Sequence, residues 1–458
     1  MTSLPTLAEL QRALEQGETT SVALTQAALA RIDDPAGEGA RAFTRVYRNQ
    51  ALAAAQASDT LRAAGWARSP VEGLPISVKD LFDIAGEPTR AGSVVLNAAP
   101  PAQNHAVIVQ RLLQAGAVIV GKTNMTEFAF SGLGLNPHYG TPSSPWDRTN
   151  RRIPGGSSSG AGVSVADQMA AAAIGTDTGG SVRIPSAICG LTGFKPTASR
   201  VNTTGALPLS FSLDSIGPLA ASVQCCATLD AILSGAPAPS GGITPLSAPP
   251  AASLRLAVPD ALVLDGADDT VRNTFERTLD TLRSQGAIVT FINIPEFTEL
   301  AHINRKGGLV CAEAWAWHRS LLADHATEYD PRVVSRILRG RDIDCADYIE
   351  LLNTRARWIA SIEQRLRGFD ALLMPTIPVV PPRIADLEAS DDAYYAANGL
   401  ILRNTTLINF LNGCAVSLPC HAPGSAPVGL MVAGPAGDDR TILETSQAIE
   451  QVLRAACA

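Results

Sequence analysis

Residues 155–185 read GGSSSGAGVSVADQMAAAAIGTDTGGSVRIP, two Gly-rich loops on either side of a small-residue segment. Ser157 to Asp167 reads as a helix spanning roughly 16 Å. Ala170 to Ile174 reads as a strand that covers roughly the same distance. A helix leading out and a strand coming back return the loop Thr176–Ser181 to the helix N-terminus. Two hydroxyls 24 residues apart (181 − 157), those of Ser157 and Ser181, are thereby expected at one site. Gly179 and Gly180 let the backbone approach a ligand closely, and N–H groups there can point at one oxygen.

Upstream, Leu74-Pro-Ile-Ser-Val-Lys-Asp80 reads as a strand. Period two puts Ser77 and Lys79 on one face and Ile76 and Val78 on the other. Taken alone, it is a strand ending in a solvated lysine. Gly116-Ala-Val-Ile-Val-Gly-Lys-Thr123 formally fits the phosphate-loop pattern GxxxxGK[ST]. That loop needs a strand before its first glycine and a helix after its lysine. Here a helix over 106–115 comes first and 117–120 is itself a β-type run, so the pattern is rejected. Gly132-Leu-Gly134 lacks the third glycine of a dinucleotide fingerprint, since position 137 is proline.

Thr6-Leu-Ala-Glu9 has the form of a capping box and opens a helix that Gly17 stops. Helices are expected over 21–32 and 45–64. Residues 234–253, rich in Pro, Gly, Ser and Ala, read as an exposed connector. Beyond it come a strand over 254–258, a helix over 271–283 and a strand over 287–294. Late strands are expected near 369–375, 416–419 and 428–432, and a closing helix over 440–453. Residues 300–350 are the least readable. Trp315, Trp317, Arg336 and Arg339 lie there as candidates for substrate selection, against a plain packing role.

The 458 residues are 46% hydrophobic and 17% charged, ordinary for a globular enzyme. The net charge of −7 comes without a basic run, so no nucleic-acid surface is indicated. Eight cysteines occur without a C-x-x-C pair, which reads as reduced thiols in a cytoplasmic protein. The start has neither a basic n-region nor an apolar h-region, and no run approaches eighteen apolar residues. Neither a secretory signal nor a membrane span is therefore expected. Six dispersed histidines give no metal-ligand spacing. A homodimer is the common outcome for such chains.

Residues 155–160 (GGSSSG) and 175–185 (GTDTGGSVRIP), with their serines at this separation, resemble the amidase signature. The likeness continues through Phe194-Lys-Pro-Thr197 and Ser212-Leu-Asp-Ser-Ile-Gly-Pro218. Membership of the amidase signature family implies an α/β class: a single α/β/α domain, residues 1–458, with a large mixed central sheet flanked by helices. It implies a Ser-cisSer-Lys triad. Ser181 is then the nucleophile, Ser157 the bridge behind a cis Gly156–Ser157 peptide, and Lys79 the base. The amides of Thr178, Gly179, Gly180 and Ser181 would hold the oxyanion. Ala129 and Ser131 would line the acyl side of the pocket, and Asp177 and Arg183 would brace the loop. The activity implied is hydrolysis of a small carboxylic amide, with no cofactor.

Two rivals use the same residues. One is the glutaminase component of a tRNA-dependent amidotransferase, working in a complex. The other is a G-x-S-x-G hydrolase with Ser158 as nucleophile and His421 as base, which needs a strand just before Gly156. Asn150-Arg-Arg-Ile-Pro-Gly155 does not read as one.

Overall fold

A computed structural model describes residues 4–236 and 244–457. Eleven strands form one sheet: β1 (Phe43–Val46), β2 (Pro75–Lys79), β3 (Val118–Thr123), β4 (Ala172–Asp177), β5 (Thr192–Lys195), β6 (Ser215–Ala220), β7 (Arg255–Pro259), β8 (Ile288–Ile292), β9 (Ala371–Pro375), β10 (Cys414–Pro419) and β11 (Gly429–Gly434). Their order is β1-β3-β2-β4-β6-β5-β10-β11-β9-β7-β8. The pairs β2·β3, β2·β4, β7·β8 and β7·β9 are parallel, the others antiparallel. The sheet is therefore mixed, as expected, and helices cover it.

β2, β3 and β4 are buried at every residue. Strands covered on both faces tend to read as continuous apolar runs; β3 and β4 open with such runs, whereas β2 alternates and buries Ser77 and Lys79 as well as Ile76 and Val78. The register pairs Ile76 with Ala172, Ser77 with Ala173 and Val78 with Ile174, so Lys79 ends β2 beside the last residues of β4. The helix Ser159–Ala166 packs beneath these strands through small residues. At Gly160 a Cβ would overlap the Ala42 carbonyl, so only glycine permits that approach.

The first helix has both halves of its capping box. The helix expected over 45–64 starts only at Arg48, because Phe43–Val46 forms β1. Its aromatic and β-branched residues favour the pleated edge beside β3. β3 runs through Lys122 and Thr123, so no helix follows Gly121-Lys122. Lys122 forms a buried ion pair with Asp80 at 3.2 Å instead. Residues 300–350 contribute helices Gly308–His325, Pro331–Leu338 and the start of Cys345–Leu366.

Of the connector, 237–243 lie outside the described residues, and 244–250 carry no regular structure. The chain then re-enters the same sheet through β7 and β8. Of the described cysteine side chains, Cys345 is exposed, Cys420 is part-buried and five are buried, all as free thiols. Among the described residues no helix is long and apolar enough to cross a membrane.

Lys122→Met leaves the Asp80 carboxylate buried without its counter-charge. The expected loss is about 3–5 kcal/mol, read as a lowered urea midpoint, with much of it recovered in Asp80→Asn/Lys122→Met. A parental midpoint in the single variant would contradict the pairing.

Candidate active site

Lys79 stands at the C-terminal end of β2 and is fully buried. Its Nζ donates to Ser157 Oγ at 2.7 Å and to Thr176 Oγ1 at 2.9 Å. Burial pushes the amine down to about 7, against the pull of the Asp214 and Asp177 carboxylates. Near neutral pH such an amine offers a lone pair to a proton. The Gly156–Ser157 peptide is cis, as the resemblance implies. Around it, Gly156 N–H donates to the Gly132 carbonyl at 2.8 Å and Thr126 N–H to the Ser157 carbonyl at 3.0 Å.

Ser181 sits in the turn between β4 and the helix Arg183–Cys189, only 3% exposed. The turn is wound around Asp177. That carboxylate accepts the N–H of Gly180 at 2.9 Å and of Val182 at 3.1 Å, and two bonds from the Arg183 guanidinium at 2.8 and 3.0 Å. Asn409 Nδ2 adds a further bond at 2.8 Å. Burial alone would raise the Asp177 carboxyl, but Arg183 holds it well below the usual carboxylate range.

The Gly180 N–H is thus engaged. The N–H groups of Thr178, Gly179 and Ser181 meet no protein acceptor among the described residues. The Gly179 carbonyl accepts from Thr405 Oγ1 at 2.5 Å, and Gly180 takes φ +135° where a Cβ would strike that threonine. The turn is therefore shaped from two sides, by its own aspartate and by the helix Asp391–Phe410.

The Lys79–Ser157 bond is formed in this structure. No Ser157–Ser181 hydrogen bond is formed. Ser131 Oγ donates to Asn398 Oδ1 at 3.0 Å, on the loop that continues from the short turn Glu127–Ala129. Ala129 takes φ +61° there. Arg336 Nη1 donates to the Phe130 carbonyl at 2.7 Å, and its guanidinium lies 4.5 Å from the Phe130 ring centre. It forms no ion pair with a carboxylate among the described residues. Trp317 packs near Phe128, Trp315 packs against the core, and Arg339 donates to the Arg305 carbonyl at the surface.

Thr176, Asp214 and Asn409 join the site without having been singled out in the sequence. Thr176 lies inside the stretch quoted first, and Asp214 inside Ser212–Pro218. No local pattern marks Asn409. A cavity of about 870 Å³ reaches Thr176 and Asp214, walled by Arg200, Asn202, Phe211 and Arg355.

Ser158 Oγ donates weakly to the Thr176 carbonyl at 3.4 Å. The His421 ring instead bonds the Val428 backbone at 3.2 Å. No strand leads directly into Gly156. The described residues hold no cluster of His, Cys, Asp and Glu fit for a metal ion.

The Amidase family model matches residues 23–443. A 2-amino-5-chloromuconic acid deaminase of Comamonas testosteroni is 36% identical, over 98% of this chain and 96% of its own. The A component of the glutamyl-tRNA(Gln) amidotransferase of Chloroflexus aggregans is 33% identical over the same shares. Among solved structures, an amidase superposes with TM-score 0.87 at 34% identity, covering 98% of this chain and 99% of that one. The native peptide amidase of Stenotrophomonas maltophilia superposes with TM-score 0.81 at 27% identity, covering 98% and 97%. On its sheet, its two Gly-rich loops and these matches, the chain belongs to the amidase signature family of amide-hydrolysing enzymes.

Proposed function

We propose that the protein hydrolyses the C–N bond of a small carboxylic amide through an acyl-enzyme on Ser181, giving the acid and ammonia or an amine. The observation that carries this reading is the buried Lys79 amine bonded to Ser157 at 2.7 Å. An amide carbon is a poor electrophile and its nitrogen a poor leaving group. Hydrolysis needs an activated nucleophile, a place for the oxyanion and a proton for the nitrogen.

Neutral Lys79 draws a proton through Ser157 from Ser181, whose Oγ attacks the carbonyl carbon. The Ser157–Ser181 bond closes as substrate seats the nucleophile, since catalytic hydrogen bonds tighten in the Michaelis complex. The free N–H groups of Thr178, Gly179 and Ser181 receive the oxyanion. Gly180, whose N–H is held by Asp177, keeps the turn in shape. Ser157 then passes the proton to the departing nitrogen, and water cleaves the ester.

A second reading, a glutaminase that passes ammonia to a partner protein, is supported by the 33% identity to the amidotransferase component across 98% of the chain. For the substrate, Arg336 is a half-buried cation without a counter-ion among the described residues, beside the Phe130–Ser131 loop. We read it as an anchor for a substrate carboxylate. The related deaminase is named for an acid.

Ammonia release by the lone chain from a panel of small amides is the first test. Turnover only of glutamine, and only with partner proteins, would favour the second reading. Ser181→Ala and Lys79→Ala should each lower turnover by about 10⁴ or more in a folded protein. His421→Ala should leave it unchanged; an active Ser181→Ala would overturn the assignment.

Because Lys79 must be neutral to act, kcat/KM should fall about tenfold per pH unit below its value of about 7. A flat profile from pH 5 to 8 would remove it from the base role. Arg336→Met should raise KM about tenfold or more for carboxylate-bearing amides and leave neutral ones alone.

A further inference from the structure

Asp214 directly precedes β6, and the register of β6 on β4 pairs Ser215 with Asp177. That places Asp214 across from Thr178, the first residue of the oxyanion turn. Thr178 Oγ1 donates to Asp214 Oδ1 at 2.5 Å. The carboxylate also accepts the N–H of Leu209 at 2.9 Å and of Ser210 at 3.1 Å, closing its own loop. That loop is fastened from behind. Glu313, buried on the helix Gly308–His325, accepts from the hydroxyls of Ser210 and Ser212, from the Ser212 N–H at 2.9 Å and from the Tyr348 hydroxyl at 2.7 Å. Arg355 Nη1 donates to the Ser212 carbonyl at 3.3 Å. A helical block far along the chain thus holds one end of a hydrogen-bond chain whose other end is the turn that would receive the oxyanion.

We propose that Asp214 is a positioning residue with two effects: it fixes Thr178, and with it the oxyanion turn, and its charge restrains the Lys79 amine from losing its proton too readily. The proposal rests on the Lys79–Ser157–Ser181 reading. Lys79 Nζ bonds Thr176, whose register partner Ile216 lies two residues after Asp214, so Asp214, ahead of β6, and Asp177 on β4 are the charged groups that face Lys79. Those that face Asp214 and its loop are Lys79 on β2, Glu313 and Arg355, with Arg111 and Arg200 lining the same cavity. Burial pushes the Asp214 carboxyl up to about 6, against the bonds from Thr178, Ser210 and Leu209. The carboxylate only accepts hydrogen bonds there, from one hydroxyl and two backbone N–H groups, as the ionised form does. Removing a nearby negative charge lowers an amine's pKa. Loss of the carboxylate should accordingly move the acid limb of reactivity to lower pH while loosening the turn.

A fluorophosphonate probe reads this on the full chain without knowledge of the substrate. Ser181 Oγ forms a bond to phosphorus, the P–F bond breaks, fluoride leaves, and the serine proton passes along the relay to water. The quantities are kinact and KI across about pH 5 to 9. Asp214→Asn should lower kinact on the order of 10–10², leave KI unchanged and shift the acid limb downward. Thr178→Val removes the hydroxyl but keeps the charge: kinact should fall while the limb stays. Thr178→Ser should restore the parental rate.

A parental kinact and limb in Asp214→Asn overturn the proposal, as does a loss wholly matched by the unfolded fraction with the limb in place. If Asp214→Asn does not fold, Thr178→Val decides, and a parental rate there overturns it. Labelling of Ser181→Ala at the parental rate would instead sink the reading beneath, a result separate from these.

Discussion

A primary amine sealed inside protein is the constraint around which the rest of the architecture is arranged. In water Lys79 would be an ammonium, with no lone pair to offer a proton. At the end of β2 it is fully buried, with two hydroxyls within 2.9 Å and, among the described residues, no carboxylate in salt-bridge contact. The nearest negative charges act through space, enough to moderate the effect of burial and too few to cancel it. This balance needs a strand covered on both faces, which is why β2 lies between β3 and β4 in the interior of a wide sheet. The neighbouring cation, Lys122, illustrates the opposite solution. It is equally buried but carries Asp80 beside it at 3.2 Å.

Around the amine, polar groups are committed to shape. Asp177 receives bonds from its own turn, from Arg183 and from Asn409. Such a carboxylate is already satisfied, so it serves as a fixed peg around which a tight turn is wound. The turn's other side meets Thr405 on the long helix Asp391–Phe410. Together they leave three amide N–H groups without partners among the described residues at the same bend. Buried donors left open are uncommon in native proteins and cluster where a ligand completes them.

Much of this was legible in the residues. Paired serines with a Gly-Gly before the second point to one shared site, whereas the lysine that ends its short strand reads alone as solvated and gains a role only through the family resemblance. The capping box at Thr6 and the late strands were also visible, because local signals such as caps and short apolar runs depend only on neighbours. What escaped depends on distance. β1 was hidden by the alanine-rich helix that follows it, so Arg45 and Val46 were read into that helix and Phe43–Val46 went unseen as a strand. The long helix Gly308–His325 mixes apolar and polar residues all round, so no periodicity announces its contacts. Asn409 looks like any asparagine in a helix until the fold brings it 2.6 Å from Arg183, across 226 residues.

That separation has a consequence for how the molecule comes into being. Asp177 emerges from the ribosome 232 residues before Asn409, an interval on the order of tens of seconds at ordinary synthesis rates. Throughout it, the Ser181 bend has its own aspartate and arginine but not the helix that locks it. β10 and β11, which complete the central sheet, come later still. Assembly of this site is therefore one of the last events in the life of the nascent chain, and a polypeptide cut short before residue 409 would carry Lys79, Ser157 and Ser181 without the frame that holds them.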